Sequence, residues 1–125
     1  MRRALLLSLL GLLAAAPALA GASASRGTAV GVGEREWRVS LYRTKVPPGV
    51  VRLNAHNYGE DAHDLAVRNS VGRVLGHLSE IRPDRTDTLR VRLRRPGRYV
   101  VFCTLEGHEA KGMRARLTVK KSTKS

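Results

Sequence analysis

A single cysteine in 125 residues excludes an internal disulfide, so Cys103 needs another occupation: pairing between molecules, nucleophilic chemistry or a metal. Aromatic residues are few, with one Trp, one Phe and three Tyr, which leaves little on which unpaired bases could stack. No C-x-x-C-H run exists for covalent haem attachment. The apolar stretch from Ala4 to Ala20 falls short of the ~20 residues of a membrane-spanning helix. Acidic residues are also scarce, ten against 23 Lys and Arg, which gives a formal net charge of +13. There are only two methionines, Met1 and Met113.

What is present begins with an export pattern. Arg2 and Arg3 precede the apolar LLLSLLGLLAAA, and Ala18-Leu19-Ala20 ends it with small residues. These are the charged, hydrophobic and cleavage regions of a secretory signal, so residues 1–20 are expected to be removed, with Ala24 as the alternative cleavage point. The mature chain is then periplasmic or extracellular. Residues 21–33, small and Gly-rich, read as a flexible leader, and residues 121–125 as a disordered tail. The span 34–120 is large enough for one small sandwich domain and too small for two.

That span reads as all-β. EWRVSLYR puts Trp37, Val39 and Leu41 on one face, with Trp37 expected in the core, and VVRLNAHN does the same for Val51, Leu53 and Ala55. In LRVRLRRPGR the apolar Leu89, Val91 and Leu93 face inward while Arg90, Arg92 and Arg94 face solvent. The stretch from Asn69 to Asp87 shows no clean period. Short strands punctuated by turn residues predict a single antiparallel Greek-key β-sandwich of about seven to eight strands.

The chemistry lies in CTLEGHEAKGM, where Cys103, His108 and Met113 are separated by four residues each. Thiolate, imidazole and thioether together make a soft donor set, and two His, one Cys and a distant Met suit copper. Cys103 closes the strand GRYVVFC, Gly107 frees the backbone to bring His108 back, and Gly112 does so again before Met113 starts the final strand. A second imidazole comes from His63, which shares its face with Leu65 and Val67 in HDLAVR. An inward His is by default a hydrogen-bonded core residue, but the Cys-His-Met set points to ligation. His56 falls on the opposite parity from Leu53 and His77 lies in the irregular stretch, so both are expected to face solvent. Structural zinc normally takes four Cys or His, and a Met argues against it.

The segments PGRYVVFCTLEGHEAKGM and NYGEDAHDL resemble the cupredoxins, the type 1 blue copper family that includes plastocyanin, azurin and rusticyanin. The resemblance extends from about Trp37 to Lys120, and only these two segments are specific. It implies one type 1 copper ion with His63, Cys103 and His108 as equatorial ligands, Met113 as the weak axial one, and the edge of His108 as the electron's exit. In azurin and plastocyanin an Asn follows the first His ligand. Here Asp64 stands there; it can accept a hydrogen bond from Thr104 but has no amide hydrogen to donate.

The expected function is an exported one-electron carrier rather than an enzyme. The alternative is a copper-binding or delivery protein, which would usually display several exposed thioethers, whereas Met113 alone remains after export. A thiol hydrolase would pair Cys103 with His108 or His63, but no segment resembles an oxyanion loop. The expected partner is a redox protein, acidic if the net charge guides it, though Glu106 and Glu109 flank His108. An anionic membrane surface would also attract this chain. Nucleic acid is not expected, and the domain is expected to act as a monomer.

Overall fold

A computed structural model describes residues 26–123, so the expected signal segment and its cleavage point lie outside the described residues. Nine strands are described: β1 (Thr28–Arg35), β2 (Arg38–Leu41), β3 (Lys45–Val46), β4 (Gly49–Asn57), β5 (His63–Arg68), β6 (Val74–Ile81), β7 (Thr86–Leu93), β8 (Gly97–Phe102) and β9 (Arg114–Val119). One helical turn, α1 (His108–Lys111), precedes β9. The strands make two sheets, ordered β2-β1-β4-β7 and β3-β9-β8-β5-β6. The connections β4–β5, β6–β7 and β7–β8 each cross from one sheet to the other. The β-sandwich expected from the alternation is present. Among the described residues no helix is long and apolar enough to cross a membrane.

Three expectations are corrected. The leader does not extend to Gly33, because Thr28–Arg35 is strand β1, paired parallel to β4 through Thr28↔Val51 and Glu34↔Asn57. Its glycines look like linker but serve close packing: a Cβ on Gly31 would lie 2.7 Å from Cδ2 of Tyr42. The stretch from Asn69 to Asp87 contains β6, an edge strand whose inward positions are a glycine, Gly76, and the partly buried Leu78, while Val74 and Leu75 are exposed, so its apolar residues do not mark one face. The sandwich is mixed rather than purely antiparallel, since β3 also runs parallel to β9.

The registers give the domain two distinct ends. At one end lie the β1–β2 turn, the last residues of β4 and β8, and the first of β5, β7 and β9, as the pairs Arg35↔Arg38, His63↔Ile81 and Phe102↔Arg114 show. At the other lie the pairs Gly49↔Leu93, Arg68↔Val74 and Gly97↔Val119. The core between them is aliphatic, with Val30, Val51, Leu53, Leu65, Leu93, Val101 and Leu117 buried.

Glu34 continues the inward row of Val30 and Val32 and is fully buried, with no hydrogen-bond partner for either carboxyl oxygen among the described residues. Burial, reinforced by the nearby charge of Asp64, raises its pKa from the ordinary 4.5 to about 8. The folded chain therefore keeps a proton that the unfolded chain gives up. Stability from this group is intact below about pH 4.5 and declines until about pH 8. Glu34→Gln is expected to flatten that decline and to exceed the parent in stability at about pH 9, by an amount on the order of a few kcal/mol. Urea unfolding at about pH 5 and about pH 9 measures both; equal slopes in parent and variant would contradict it.

Candidate metal centre

Parity places His63 at the start of β5 with its imidazole inward and fully buried. Cys103 follows the end of β8 and is buried as well. After Cys103 the chain turns through Gly107, whose φ of 78° lies in the left-handed region, into the single turn of α1. His108 opens that turn and is half-buried. The loop is closed by its own backbone: Cys103 N–H donates to the Met113 carbonyl at 3.1 Å, and Met113 N–H to the His108 carbonyl at 3.1 Å. Gly112, with φ 125°, completes the exit, and a Cβ there would lie 2.9 Å from the Trp37 carbonyl.

These elements bring three of the expected ligands together. His63 Nδ1 lies 3.3 Å from His108 Nδ1, Cys103 Sγ lies 3.6 Å from the same nitrogen, and the three donor atoms are all within 4.8 Å of one another. Nitrogen and sulfur bind first-row ions at about 2.0–2.3 Å, so donors around one centre sit about 3.3–3.8 Å apart. The cluster therefore fits a single ion. Met113 is fully buried, and its backbone bonds to Cys103 and His108 hold it at the same end of the sandwich.

Around the donors lies a polar frame. Asp64 N–H points at Cys103 Sγ, 3.5 Å away, and the Asp64 carboxylate accepts the Thr104 N–H at 2.5 Å together with the Thr104 hydroxyl. The bond expected between Asp64 and Thr104 is thus made twice over. Burial works against the charged form of Asp64, but its bonds from Thr104 and His77 hold the pKa below the ordinary carboxylate range. Burial pushes the Cys103 thiol up to about 11. At neutral pH and without a metal it is protonated, which speaks against a nucleophilic thiol.

Two members of this frame were not anticipated. Glu36, in the β1–β2 turn, places Oε1 2.9 Å from His63 Nε2. Its carboxylate also accepts N–H groups of Asp61 at 2.9 Å and of Glu60 at 3.1 Å. The Asp61 bond leads these in drawing its pKa down to about 2. Gly59 leaves the room, since a Cβ there would lie 2.3 Å from Glu36 Oε1. No spacing or parity links position 36 to position 63, so the sequence offered no signal. His77 lies outside the donor cluster with its side chain half-exposed, but Nε2 lies 2.9 Å from Asp64 Oδ2. Only recognition of β6 as the neighbour of β5 would have found that bond.

Trp37 differs from its expected place in a strand. It sits in the β1–β2 turn, partly buried against the core, with its ring edge-on to His108 at 4.9 Å and Lys111 Nζ 3.9 Å from its centre. His56 stays outside the cluster, 3.3 Å from Asp84. Glu109, read as an acidic neighbour of His108, is paired with Arg68, which bonds its Oε2 at 3.0 Å.

No protein-family model matches the chain, and no curated protein matches it in sequence. Solved structures do match in fold. An azurin from Methylomonas sp. strain J shares 16% identity over 75% of this chain and 98% of its own, with a TM-score of 0.64. Auracyanin A, a "blue" copper protein from Chloroflexus aurantiacus, shares 16% over 75% of this chain and 99% of its own, at 0.61. A copper-containing nitrite reductase from Thermus scotoductus matches 77% of this chain with 31% of its own, at 16% identity and 0.54. At these identities the likeness establishes the fold, a cupredoxin-like β-sandwich. That fold and the His/Cys/His cluster, with Met113 close by in the chain, support one type 1 copper ion.

A carboxylate that fixes a metal-binding imidazole usually contributes a factor of about 10–100 to metal affinity. Glu36→Gln is expected to weaken copper binding by about that factor, measured by competition with a chelator, while leaving the thermal midpoint nearly unchanged. Unchanged affinity would mean that Glu36 serves only the turn at Glu60 and Asp61.

Proposed function

We propose that this chain is an exported type 1 copper protein that carries single electrons between partners. The observation that carries the reading is the cluster of His63, Cys103 and His108, whose donor atoms all lie within 4.8 Å of one another. Bound copper would supply a one-electron couple, held by His63, Cys103 and His108 with Met113 as the fourth, weaker donor. Each protein group has a separate task. Glu36 fixes the ring of His63 from its far nitrogen, and Asp64 holds both the Cys103 strand end and its own N–H toward the sulfur. Donors restrained in this way move little when the charge of their metal changes, which keeps electron transfer fast. Burial of Cys103 shields the thiolate from water and oxidants.

His108 is the half-exposed donor, so the partner is expected to meet it. Around it are Trp37, Leu105 and Ala110 with Glu106 and Lys111, a surface of mixed charge that suits a redox protein docking briefly. The acidic partner suggested by net charge alone is therefore not what this edge favours. Export rests on the N-terminal pattern of arginines, leucines and small residues.

The copper(II)-loaded chain is expected to show an intense blue absorption and a reversible voltammetric wave. Cys103→Ser should abolish the colour, and Met113→Leu should retain copper while raising the potential. A colourless protein that surrenders copper(I) to a chelator would overturn the carrier in favour of copper delivery. An unchanged spectrum and potential in Met113→Leu would reduce Met113 to core packing.

A further inference from the structure

The charge of this molecule is divided between its two ends. All ten acidic residues fall in four stretches, 34–36, 60–64, 80–87 and 106–109, and the registers place every one of these in the half that holds the donor cluster. The opposite end has none. There the β5–β6 and β7–β8 turns enclose an open basin of about 470 Å³ lined by Arg73, Arg92, Arg94, Arg95 and Arg98. All five are exposed, and among the described residues no carboxylate pairs with them. The final strand delivers Lys120 and Lys121 to the same end.

Beside the arginines stands an apolar tip. Of the five large hydrophobic residues most exposed in the domain, three belong to the β5–β6 hairpin: Val71 at 85%, Val74 at 51% and Leu75 at 36%. Val71 and Leu75 line the basin itself. The tip is held rigidly. Asn69 Oδ1 accepts the N–H of Val71 at 3.2 Å and of Arg73 at 2.9 Å, Asn69 and Arg73 pair through their backbones, and Gly72 takes the left-handed φ of 85° that the turn needs. On the other side of the basin the Tyr99 hydroxyl bonds the Arg95 carbonyl at 2.7 Å and fixes the second turn.

We infer that the end opposite the metal centre docks on an anionic phospholipid surface, with lipid phosphates in the arginine basin and Val71 inserted at the acyl boundary. An acidic protein would satisfy the arginines but would give no reason for a rigid, exposed valine between them. Guanidinium groups around an apolar tip match the two layers of a lipid interface, phosphate above hydrocarbon. The donor half, where carboxylates offset its basic residues, gains far less from the same surface, so the docked molecule turns His108 toward the bulk. This inference does not depend on which metal the cluster holds.

The test uses the full chain with vesicles of phosphatidylcholine alone and of phosphatidylcholine mixed with phosphatidylglycerol; parent and variants share the N-terminal run with Arg2 and Arg3, so the difference between them is what is read. Binding is expected to rise with phosphatidylglycerol and to fall with salt. A triple variant, Arg92→Ala with Arg94→Ala and Arg95→Ala, should lose on the order of 100-fold of the phosphatidylglycerol-dependent partition, at about 1 kcal/mol per arginine. Its circular dichroism spectrum should match the parent's. Separately, Val71→Trp should show blue-shifted emission on the mixed vesicles only. Full phosphatidylglycerol-dependent binding by the triple variant would overturn the inference, as would a bound Val71→Trp whose emission does not shift. Tight, arginine-dependent binding of polyglutamate without vesicle binding would overturn it in favour of an acidic protein.

Discussion

One carboxylate joins the two halves of the metal centre. His63 begins β5 and Cys103 follows β8, and each would be a frayed strand end if nothing tied them together. Asp64 ties them: its carboxylate takes both donors of Thr104, its own N–H faces the sulfur, and His77 braces it from the neighbouring strand. The remaining loop, from Thr104 to Gly112, then only has to swing His108 back, and two backbone bonds to Met113 complete that return. Glu36 plays the same part for the far nitrogen of His63. The donors are therefore positioned by hydrogen bonds that the fold provides.

The same arrangement concentrates negative charge. Asp64 and Glu36, both held ionised by their hydrogen bonds, belong to one end of a molecule whose net charge is strongly positive. Carboxylates close to a bound cation lower the energy of its more highly charged state, whereas arginines at the far end are too distant to oppose this through solvent. Sorting of charge by pole thus serves two ends at once: an electronegative frame for the metal, and a basic surface free to meet something else.

Much of this was readable from the chain. Alternation located β4, β5, β7, β8 and β9, because each has one face in a core that admits only apolar residues, as Leu89, Val91 and Leu93 show against Arg90 and Arg92. The donor spacing and the parity of His63 foretold the cluster, because a strand–loop–strand hairpin leaves few ways to return His108 to Cys103. What escaped reading had other physical causes. In β1 the glycines suit packing against Tyr42 and so resemble a linker, and in β6 a glycine at an inward position and the exposed Val74 and Leu75 obscure the alternation. Glu36 and His77 reach the centre only through pairings between distant segments, which no local pattern encodes. Trp37 was misplaced because parity cannot distinguish the last residue of a turn from the first of a strand.

The central claim is that the fold holds two imidazoles and one thiolate around a single copper with little need to rearrange. X-ray absorption at the copper edge, recorded on the loaded chain in its oxidised and reduced forms, tests it most directly. The account predicts one short copper–sulfur and two copper–nitrogen distances in both forms, nearly unchanged between them. A spectrum without that sulfur, or a nitrogen lost on reduction, would contradict it.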